Sequence, residues 1–396
     1  MLRNRYRQWM YDWETRLTRR DTNRVVRPFE WGEDWAHRWP LVNGDFAAAG
    51  SDPGRFLCQL NRRIVERSDE FFSYLTPEDF HLETKEVPRG KEDRRLEQAR
   101  FLRFTSPVVT PYSENNLVNA RWFPAKGSPQ GLKPRLPETS PTARLEAVPI
   151  PHDDRAKTKC RVGKRAVVVL PQWNSDQWGH NALCRIFNRL GISALRLSMP
   201  YHDVRMPAEL ERADYAVSAN VGRTLDAGRQ AVIDIRCCLD WLEQQGYTDL
   251  GIVGTSLGSC YAFLASAHDR RLRVNAFNHG STSFGDVVWT GQSTRHIRAG
   301  IEAVIDRERL RTAWLAISPI SYFDKFARWP KKSLVVYAKY DLTFLPELSR
   351  QTVEEFRRWN LDHRVAVLPC GHYTTGETPF KFLDAWHLAR FLAKAF

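Results

Sequence analysis

Short apolar runs alternate with amphipathic stretches from residue 165 to the end of the chain. An apolar run such as residues 166–170 is typical of a strand buried on both faces. The stretch at 226–245 instead carries its apolar residues on one face of a helix. This alternation predicts an α/β fold, with a mostly parallel sheet covered by helices on both faces. The same patterns predict further strands at 193–198, 250–253, 274–277, 333–337 and 364–368, and further helices near 181–190 and 379–394.

Residues 1–99 are predicted to form a helical extension packed on the main domain. Tyr6, Trp9, Met10, Trp13 and Leu17 recur at three- or four-residue spacing, which gives one apolar stripe, and the arginines lie largely off it. This stripe has two interpretations: a helix packed on the domain with a solvated basic face, or an interfacial helix that contacts an anionic membrane surface. A second helix is predicted over 53–75.

The main domain is predicted to span residues 100–396. Alternating residues at 101–104 and 118–123 predict an antiparallel pair of strands at one edge of the sheet. The segment 126–160 is rich in proline, serine and charge without periodicity, which indicates a long exposed loop. The segment 281–326 interrupts the alternation of strands and helices, so we predict an insertion there.

Composition narrows the classes of partner and cofactor. The net charge of +13 and the pI near 9.5 fit an acidic partner, but the basic residues are spread along the chain without a nucleic-acid-binding motif, so no nucleic acid is expected. Seven scattered cysteines indicate reduced thiols in a cytoplasmic protein. The chain shows no zinc-ligand spacing, no apolar run long enough to span a membrane and no signal-peptide core. Neither a metal nor a cofactor is expected.

The clearest chemical motif is Gly-Thr-Ser-Leu-Gly at 254–258, between a predicted strand and a predicted helix. The two glycines leave room for a tight turn, which holds the Ser256 hydroxyl above the sheet at the positive end of the helix. A serine is a poor nucleophile unless a base lies within reach. Without such a base, the motif is an ordinary strand-to-helix turn with a capping serine.

Two further polar residues follow predicted strands. Asp341 comes shortly after the strand at 333–337, and His372 comes after the strand at 364–368. The carboxyl ends of parallel strands share one rim of the sheet, where sites form. Ser256, Asp341 and His372 therefore predict a nucleophile, an acid and a base on three rim loops, in that chain order.

On these residues, the chain from 100 to 396 resembles the α/β-hydrolase superfamily. The resemblance implies that Ser256 is the nucleophile, His372 the general base and then acid, and Asp341 the carboxylate that orients the imidazole. It also implies that the insertion at 281–326 occupies the place of a lid. Within the superfamily, the stretches at 199–207 and 239–247 resemble the group of abhydrolase domain-containing protein 18. The wider superfamily includes esterases, lipases, peptidases and proteins without activity.

The resemblance further implies an oxyanion hole. One N–H is expected from Leu257, directly after the nucleophile, and the other from the loop after residue 170. Pro171 has no N–H, so Gln172 or Trp173 must supply the second, and the His-Gly-x turn of the family favours Trp173. This chain lacks the His-Gly pair, since Gln172 stands where the family has a glycine that lets the turn approach closely.

Six side chains are predicted to contact the substrate. Two of them are histidines that follow strands at the same rim, although a structural, hydrogen-bonded role fits them as well. Two are arginines of the insertion, which suit an acyl ester with a negative head such as a phospholipid or an acyl thioester, with a solvated cap surface as the alternative. The six are Gln172, His202, Arg205, His279, Arg295 and Arg298.

The sequence therefore predicts an esterase- or lipase-like serine hydrolase that cleaves an ester or thioester through an acyl-enzyme. Its expected substrate is a small-molecule or lipid acyl ester. The alternative from another class is a catalytically inactive α/β-hydrolase fold that serves as a binding or scaffold protein. We expect a cytoplasmic location, with a peripheral membrane contact through the N-terminal helix as a further hypothesis.

Overall fold

A computed structural model describes residues 2–42, 52–127 and 164–396 of the 396-residue chain. One sheet of nine strands runs through the described residues in the order β1-β2-β3-β5-β4-β6-β7-β8-β9. The predicted α/β class, with a mostly parallel sheet between helices, is confirmed. The strands are β1 (His81–Pro88), β2 (Leu96–Thr105), β3 (Leu117–Phe123), β4 (Arg165–Leu170), β5 (Ser193–Leu197), β6 (Asp249–Thr255), β7 (Leu272–Asn278), β8 (Lys332–Ala338) and β9 (His363–Leu368). The helices are α1 (Leu2–Thr18), α2 (Pro53–Glu66), α3 (Ser68–Phe71), α4 (Ser113–Asn116), α5 (Asn181–Arg189), α6 (Val221–Gln244), α7 (Leu257–His268), α8 (Phe284–Thr290), α9 (Arg295–Ile301), α10 (Arg307–Ala313), α11 (Phe323–Ala327), α12 (Pro346–Arg358) and α13 (Phe380–Ala395).

Strand direction divides the sheet into two parts. From β5 through β4 and β6 to β9, neighbouring strands are parallel. At the other end β1, β2 and β3 pair antiparallel, and β3 joins the parallel part by pairing antiparallel with β5. The carboxyl ends of β6, β8 and β9 therefore lie at one rim, and these strands lead into Ser256, Asp341 and His372.

The sheet separates two apolar cores. In β4, Ala166, Val168 and Leu170 face the first core, and Val167 and Val169 face the second. Helices α6, α7 and those of the insertion cover the first core, whereas α1, α5 and α13 cover the second. Burial on both faces explains why the strand reads as an unbroken apolar run in the sequence.

Two helices of the N-terminal extension pack on opposite faces of the sheet. Helix α1 buries Met10 in the second core, and α2 buries Leu60 in the first. Much of the α1 stripe therefore faces protein, and Tyr6 and Trp9 are 36 % and 46 % exposed. Contact with a membrane surface stays a prediction that rests on those two rings. Among the described residues, no helix combines the length and the apolar character needed to cross a bilayer.

The prediction that residues 1–99 are helical is wrong for 81–99. There β1 and the first part of β2 form an antiparallel hairpin that extends the sheet beyond β3. Every residue of β1 is exposed or half-buried, and Glu83, Lys85 and Glu86 are charged, as suits an edge strand that must not pair further. Such a strand has no buried face, so its sequence shows no alternation. The predicted exposed loop at 126–160 lies outside the described residues, apart from 126 and 127.

The predicted insertion at 281–326 folds as helices α8 to α11 between β7 and β8, joined by short 3-10 turns. Trp314 and Ile317 are fully buried in the first core, so the insertion is anchored to the domain. Phe284 and Val288, both on α8, are buried as well. The insertion thus forms a packed wall beside the rim that carries Ser256.

Replacing Leu60 by alanine is expected to lower the free energy of unfolding by about 2–5 kcal/mol, because it leaves a cavity between α2 and the first core. Leu60 is fully buried, whereas Leu75 is 88 % exposed and gives a matched control. The Leu75→Ala variant should stay within about 0.5 kcal/mol of the parent protein. Urea unfolding followed by tryptophan fluorescence measures both, and equal stabilities would show that α2 is not part of the folded core.

Candidate active site

Ser256 lies on the turn between β6 and α7, in a positive-φ conformation with φ 57° and ψ −119°. Such a conformation costs a non-glycine residue about 1–3 kcal/mol, so the surrounding structure must enforce it. Two glycines allow the close packing. A Cβ at Gly254 would overlap the carbonyl oxygen of Gly258. A Cβ at Gly258 would lie 2.6 Å from the carbonyl oxygen of Pro171. The turn therefore lifts the Ser256 side chain to the rim.

The structure brings the three predicted rim residues together. His372 Nε2 lies 3.1 Å from Ser256 Oγ, and His372 Nδ1 lies 3.0 Å from Asp341 Oδ2. The other carboxylate oxygen, Oδ1, accepts hydrogen bonds from the backbone N–H groups of Thr343 and Phe344, both at 2.7 Å. The Phe344 ring also stacks on the His372 imidazole, with centroids 5.3 Å apart. These contacts hold the imidazole edge toward Ser256.

A pocket with about 490 Å³ of empty space, partly open to solvent, lies beside Ser256. Leu257 and Trp173 line it, and within the described part of the protein the backbone N–H of neither donates a hydrogen bond. An N–H group without a partner at a pocket wall is available to a developing negative charge. The described residues that line the pocket are uncharged: Trp173, Val217, Ser256, Leu257, Cys260, Ser281, Ser283, Phe284, Val287, Val288, Ser293, Thr294, Thr343 and Phe344.

Solved structures share this architecture. An acetyl xylan esterase from a Thermoanaerobacterium species aligns with a TM-score of 0.54 at 13 % identity, over 92 % of this chain and 98 % of its own. An acetyl xylan esterase from a Paenibacillus species aligns with a TM-score of 0.53 at 10 % identity, over 90 % and 98 %. The acylaminoacyl peptidase of Pyrococcus horikoshii aligns with a TM-score of 0.53 at 9 % identity, over 80 % of this chain and 48 % of its own. At these identities the likeness is one of fold.

The chain has the α/β-hydrolase fold. The family described as alpha/beta hydrolase domain containing 18 matches residues 125–309, just under half of the chain. The matched range includes Ser256 but ends before Asp341 and His372. No curated protein matches the sequence. The α/β-hydrolase fold predicted from the three rim residues is thereby confirmed, and the similarity to the domain containing 18 group covers the central part of the domain.

Burial opposes the charged forms of His372 and Asp341, and their mutual attraction outweighs it. Burial disfavours the imidazolium, but the charge and the hydrogen bond of Asp341 raise the pKa of His372 above its ordinary value. Burial likewise opposes ionisation of Asp341, but the imidazoles of His372 and His279 hold its pKa far below the usual range. Asp341 is therefore an acceptor, and His372 Nδ1 carries the proton between them.

A second histidine contacts the carboxylate of Asp341. His279 Nδ1 lies 3.0 Å from Asp341 Oδ2, and the His279 and His372 rings have centroids 4.7 Å apart. His279 Nε2 is buried and has no hydrogen-bond partner among the described residues. The prediction that His279 binds substrate is wrong, because the side chain lies against Asp341 and outside the pocket wall.

His279, Asp341 and His372 each offer one possible metal-ligand atom, and these atoms lie within 4.8 Å of one another. Both Nδ1 atoms face the same carboxylate oxygen, which only accepts hydrogen bonds when ionised. Each Nδ1 therefore carries a proton and presents no lone pair to a metal ion. We assign hydrogen bonds, and not metal ligation, to these atoms.

His202 and Arg205 are buried and hold loops of the domain in place. Burial lowers the pKa of His202 to about 4, and its Nε2 accepts a hydrogen bond at 3.1 Å from the N–H of Asn174, in the loop after β4. Arg205 is fully buried and pairs with Asp234 at 2.8 Å. Neither side chain lines the pocket. Their prediction as substrate-binding residues is wrong, since internal hydrogen bonds already use their polar atoms.

The remaining predicted substrate contacts face solvent. Gln172 and Arg295 are exposed, and Arg298 forms a half-exposed ion pair with Glu302 at 2.6 Å, with its guanidinium over the Trp289 ring. None of the three predicted residues lines the pocket. An arginine in an apolar wall without a partner would lose its hydration, so the two arginine charges stay at the surface and the wall is uncharged.

Glu14 of α1, which is not among the predicted site residues, is fully buried and contacts the loop after β9. Glu14 lies four residues after Met10 and three before Leu17, so it interrupts the apolar stripe of the helix. A carboxylate within such a stripe must find hydrogen-bond donors in the interior. The interruption of the apolar stripe is therefore the feature of the sequence that could have identified Glu14.

The Gly258→Ala variant is expected to lose about 1–3 kcal/mol of stability, because the added Cβ must displace the backbone after β4. The control is Gly376→Ala, since a Cβ there meets no atom within 4 Å. Chemical denaturation compares the two. Equal stabilities would show that the turn tolerates a side chain and that the packing at Gly258 is not tight.

A titration of the His372 imidazole by NMR should give a pKa above the ordinary value of about 6.5, because Asp341 stabilises the imidazolium. In the Asp341→Asn variant the pKa should fall, since the carboxylate that most opposes the effect of burial is then removed. The protein therefore holds neutral His372 only above the raised pKa. An unchanged pKa in Asp341→Asn would contradict the pairing.

Proposed function

We propose that this α/β-hydrolase is a serine hydrolase that cleaves carboxylic esters or thioesters through an acyl-enzyme on Ser256. The observation that carries the proposal is the continuous chain of hydrogen-bonding groups from Ser256 Oγ through His372 to Asp341, with separations of 3.1 and 3.0 Å. A serine becomes a useful nucleophile when a base accepts its proton as the new bond forms. The positive-φ turn at Ser256 supports the same role, because it directs the hydroxyl away from the sheet.

In the proposed reaction, neutral His372 Nε2 takes the Ser256 proton as Oγ attacks the carbonyl carbon of the substrate. The carbonyl oxygen becomes an oxyanion, which the unpaired N–H groups of Leu257 and Trp173 stabilise. Protonated His372 then gives its proton to the departing alcohol or thiol, and the acyl group remains on Oγ. Water repeats the sequence with His372 as base, which releases the carboxylic acid and restores Ser256.

The pocket supports a short, uncharged acyl group. Phe284, Val287 and Val288 supply its apolar wall, and small residues such as Ser283 and Thr294 also line it. The insertion arginines predicted to hold a negative head lie at the surface. Two of the solved structures with this fold are named as acetyl xylan esterases, which agrees with an ester of a small acid. We therefore favour a small acyl ester over an anionic lipid.

The Ser256→Ala variant is expected to lose about a millionfold in turnover of p-nitrophenyl acetate, because the oxygen that carries the acyl group is removed. The control is Ser266→Ala, a buried serine of the same helix α7 that does not line the pocket. Release of nitrophenolate measures both. A Ser256→Ala protein that hydrolyses the ester at the parent rate would contradict the mechanism. A parent protein with no hydrolysis of esters or thioesters of any acyl length would favour the scaffold alternative.

A further inference from the structure

The N-terminal helix α1 places a buried carboxylate against the loop that carries His372. Glu14 Oε1 accepts a hydrogen bond at 2.8 Å from the N–H of Tyr373. Glu14 Oε2 accepts two more, at 3.0 Å from the N–H and at 3.1 Å from the hydroxyl of Thr374. Glu14 is fully buried, so these three donors replace the water that a carboxylate otherwise holds. The loop after β9 is thus fastened to a helix at the other end of the chain.

Other side chains among the first 24 residues also contact the loop after β9. The Tyr6 hydroxyl donates at 2.5 Å to the carbonyl oxygen of Pro369, just before the His372 loop. The Tyr373 hydroxyl donates at 3.0 Å to Asp21, and Arg24 donates at 3.1 Å to that hydroxyl. The contact therefore extends along α1 and past its end, and does not depend on one side chain.

Gly371 fits the same arrangement. A Cβ at this position would collide with the carboxylate of Glu14. The N–H of Gly371 donates at 2.6 Å to the Thr374 hydroxyl, which in turn donates to Glu14. The residue directly before His372 is therefore packed against Glu14 and linked to it through one hydroxyl. A shift of Glu14 must move the backbone on both sides of His372.

We propose that Glu14 is a positioning residue of the active site, through which helix α1 holds the His372 loop in its working geometry and stabilises the imidazolium. This inference rests on the proposed serine-hydrolase function. Glu14 does not touch the reacting atoms, and it acts through the Tyr373 and Thr374 backbone. The N-terminal extension is then part of the catalytic apparatus and not a separate module.

Burial and the negative charge of Asp341 raise the pKa of Glu14, whereas the N–H groups of Tyr373 and Thr374 stabilise its ionised form. Glu14 is a carboxylate above that raised pKa. Its negative charge favours the protonated form of His372, as does that of Asp341. Cys370 and Tyr373 face Glu14 as neutral groups, because burial raises the pKa of each to about 12.

Two more titratable groups face the neighbourhood of His372. His279 contacts Asp341 from the loop after β7, and Asp384 approaches His279 and Cys370 from α13. Burial raises the pKa of Asp384 to about 6. Both groups are present in every variant compared below, and their contributions cancel in the comparison.

The test compares Glu14→Gln with the full-length parent protein. The glutamine side chain has nearly the same shape as glutamate, but it carries no charge and its NH₂ group faces backbone donors. We expect the NMR pKa of His372 to fall by a few tenths to about one unit. The ascending limb of kcat/KM for p-nitrophenyl acetate should move to lower pH by the same amount. On the plateau, kcat/KM should fall on the order of 10-fold, because the His372 loop is less well held.

The matched control is Asp226→Asn. Asp226 is a buried carboxylate of α6 that accepts a 2.7 Å hydrogen bond from Trp39 Nε1, and it has no described contact with the loop after β9. The Asp226→Asn substitution removes a buried carboxylate away from the active site. Both the His372 pKa and the pH profile should therefore stay at the parent values. Glu14→Met, which has a similar length and is apolar, serves as the second variant if Glu14→Gln does not fold.

A folded Glu14 variant with the parent His372 pKa and the parent pH profile would overturn the proposal. Failure of both variants to fold would also overturn it, since Glu14 would then be a structural residue of the domain. The NMR titration needs no turnover, so it separates this inference from the proposed function. A parent protein that does not hydrolyse the ester but whose His372 pKa falls in Glu14→Gln would contradict the hydrolase and keep the coupling.

Discussion

The positive-φ backbone at Ser256 is the constraint on which the rest of the rim depends. Strand β6 can pass into α7 at this point only because Gly254 and Gly258 carry no side chain, and the turn packs directly on the backbone after β4. That packing also brings the Trp173 loop beside the serine, where its N–H borders the pocket. A buried hydrogen-bond network around His202 then keeps the same loop in place. Local backbone strain is thus maintained by a rigid surrounding structure.

Negative charge is concentrated behind the imidazole of His372. Asp341 is buried, yet two backbone N–H groups and two imidazoles compensate its charge. Glu14 adds a second buried carboxylate, which three donors of the neighbouring loop compensate. On the pocket side the described lining residues are uncharged. In the proposed mechanism, the negative charge of Asp341 favours a proton on His372 when Ser256 loses its own.

The sequence predicts those features that depend on local pattern. The buried strands β4 and β6 read as apolar runs, and the rim position of Ser256, Asp341 and His372 follows from chain order once a parallel sheet is assumed. Edge strand β1 is not predictable in this way, because a charged strand exposed on both faces has no period to detect. The predictions of substrate contacts at His202, Arg205 and His279 were wrong for another reason. A polar residue after a strand can face the pocket or the interior, and only tertiary packing decides which.

His279 and Glu14 illustrate that limit from two sides. His279 follows a strand at the correct rim, yet its side chain points to Asp341 and not into the pocket. Glu14 lies more than three hundred residues from His372 along the chain, within a stretch whose pattern is that of an ordinary amphipathic helix. Contacts between distant segments of this kind come from the way α1 docks on the second core, which no local pattern encodes.

The central claim is that Ser256 is activated by His372, and the most direct measurement is the site of covalent modification by a fluorophosphonate. The folded parent protein and a folded His372→Ala variant are treated alike, digested and mapped by mass spectrometry. The account predicts one phosphonylated residue in the parent, Ser256, and little or no adduct in His372→Ala. An unmodified Ser256 in the parent protein, or equal modification in both proteins, would contradict it.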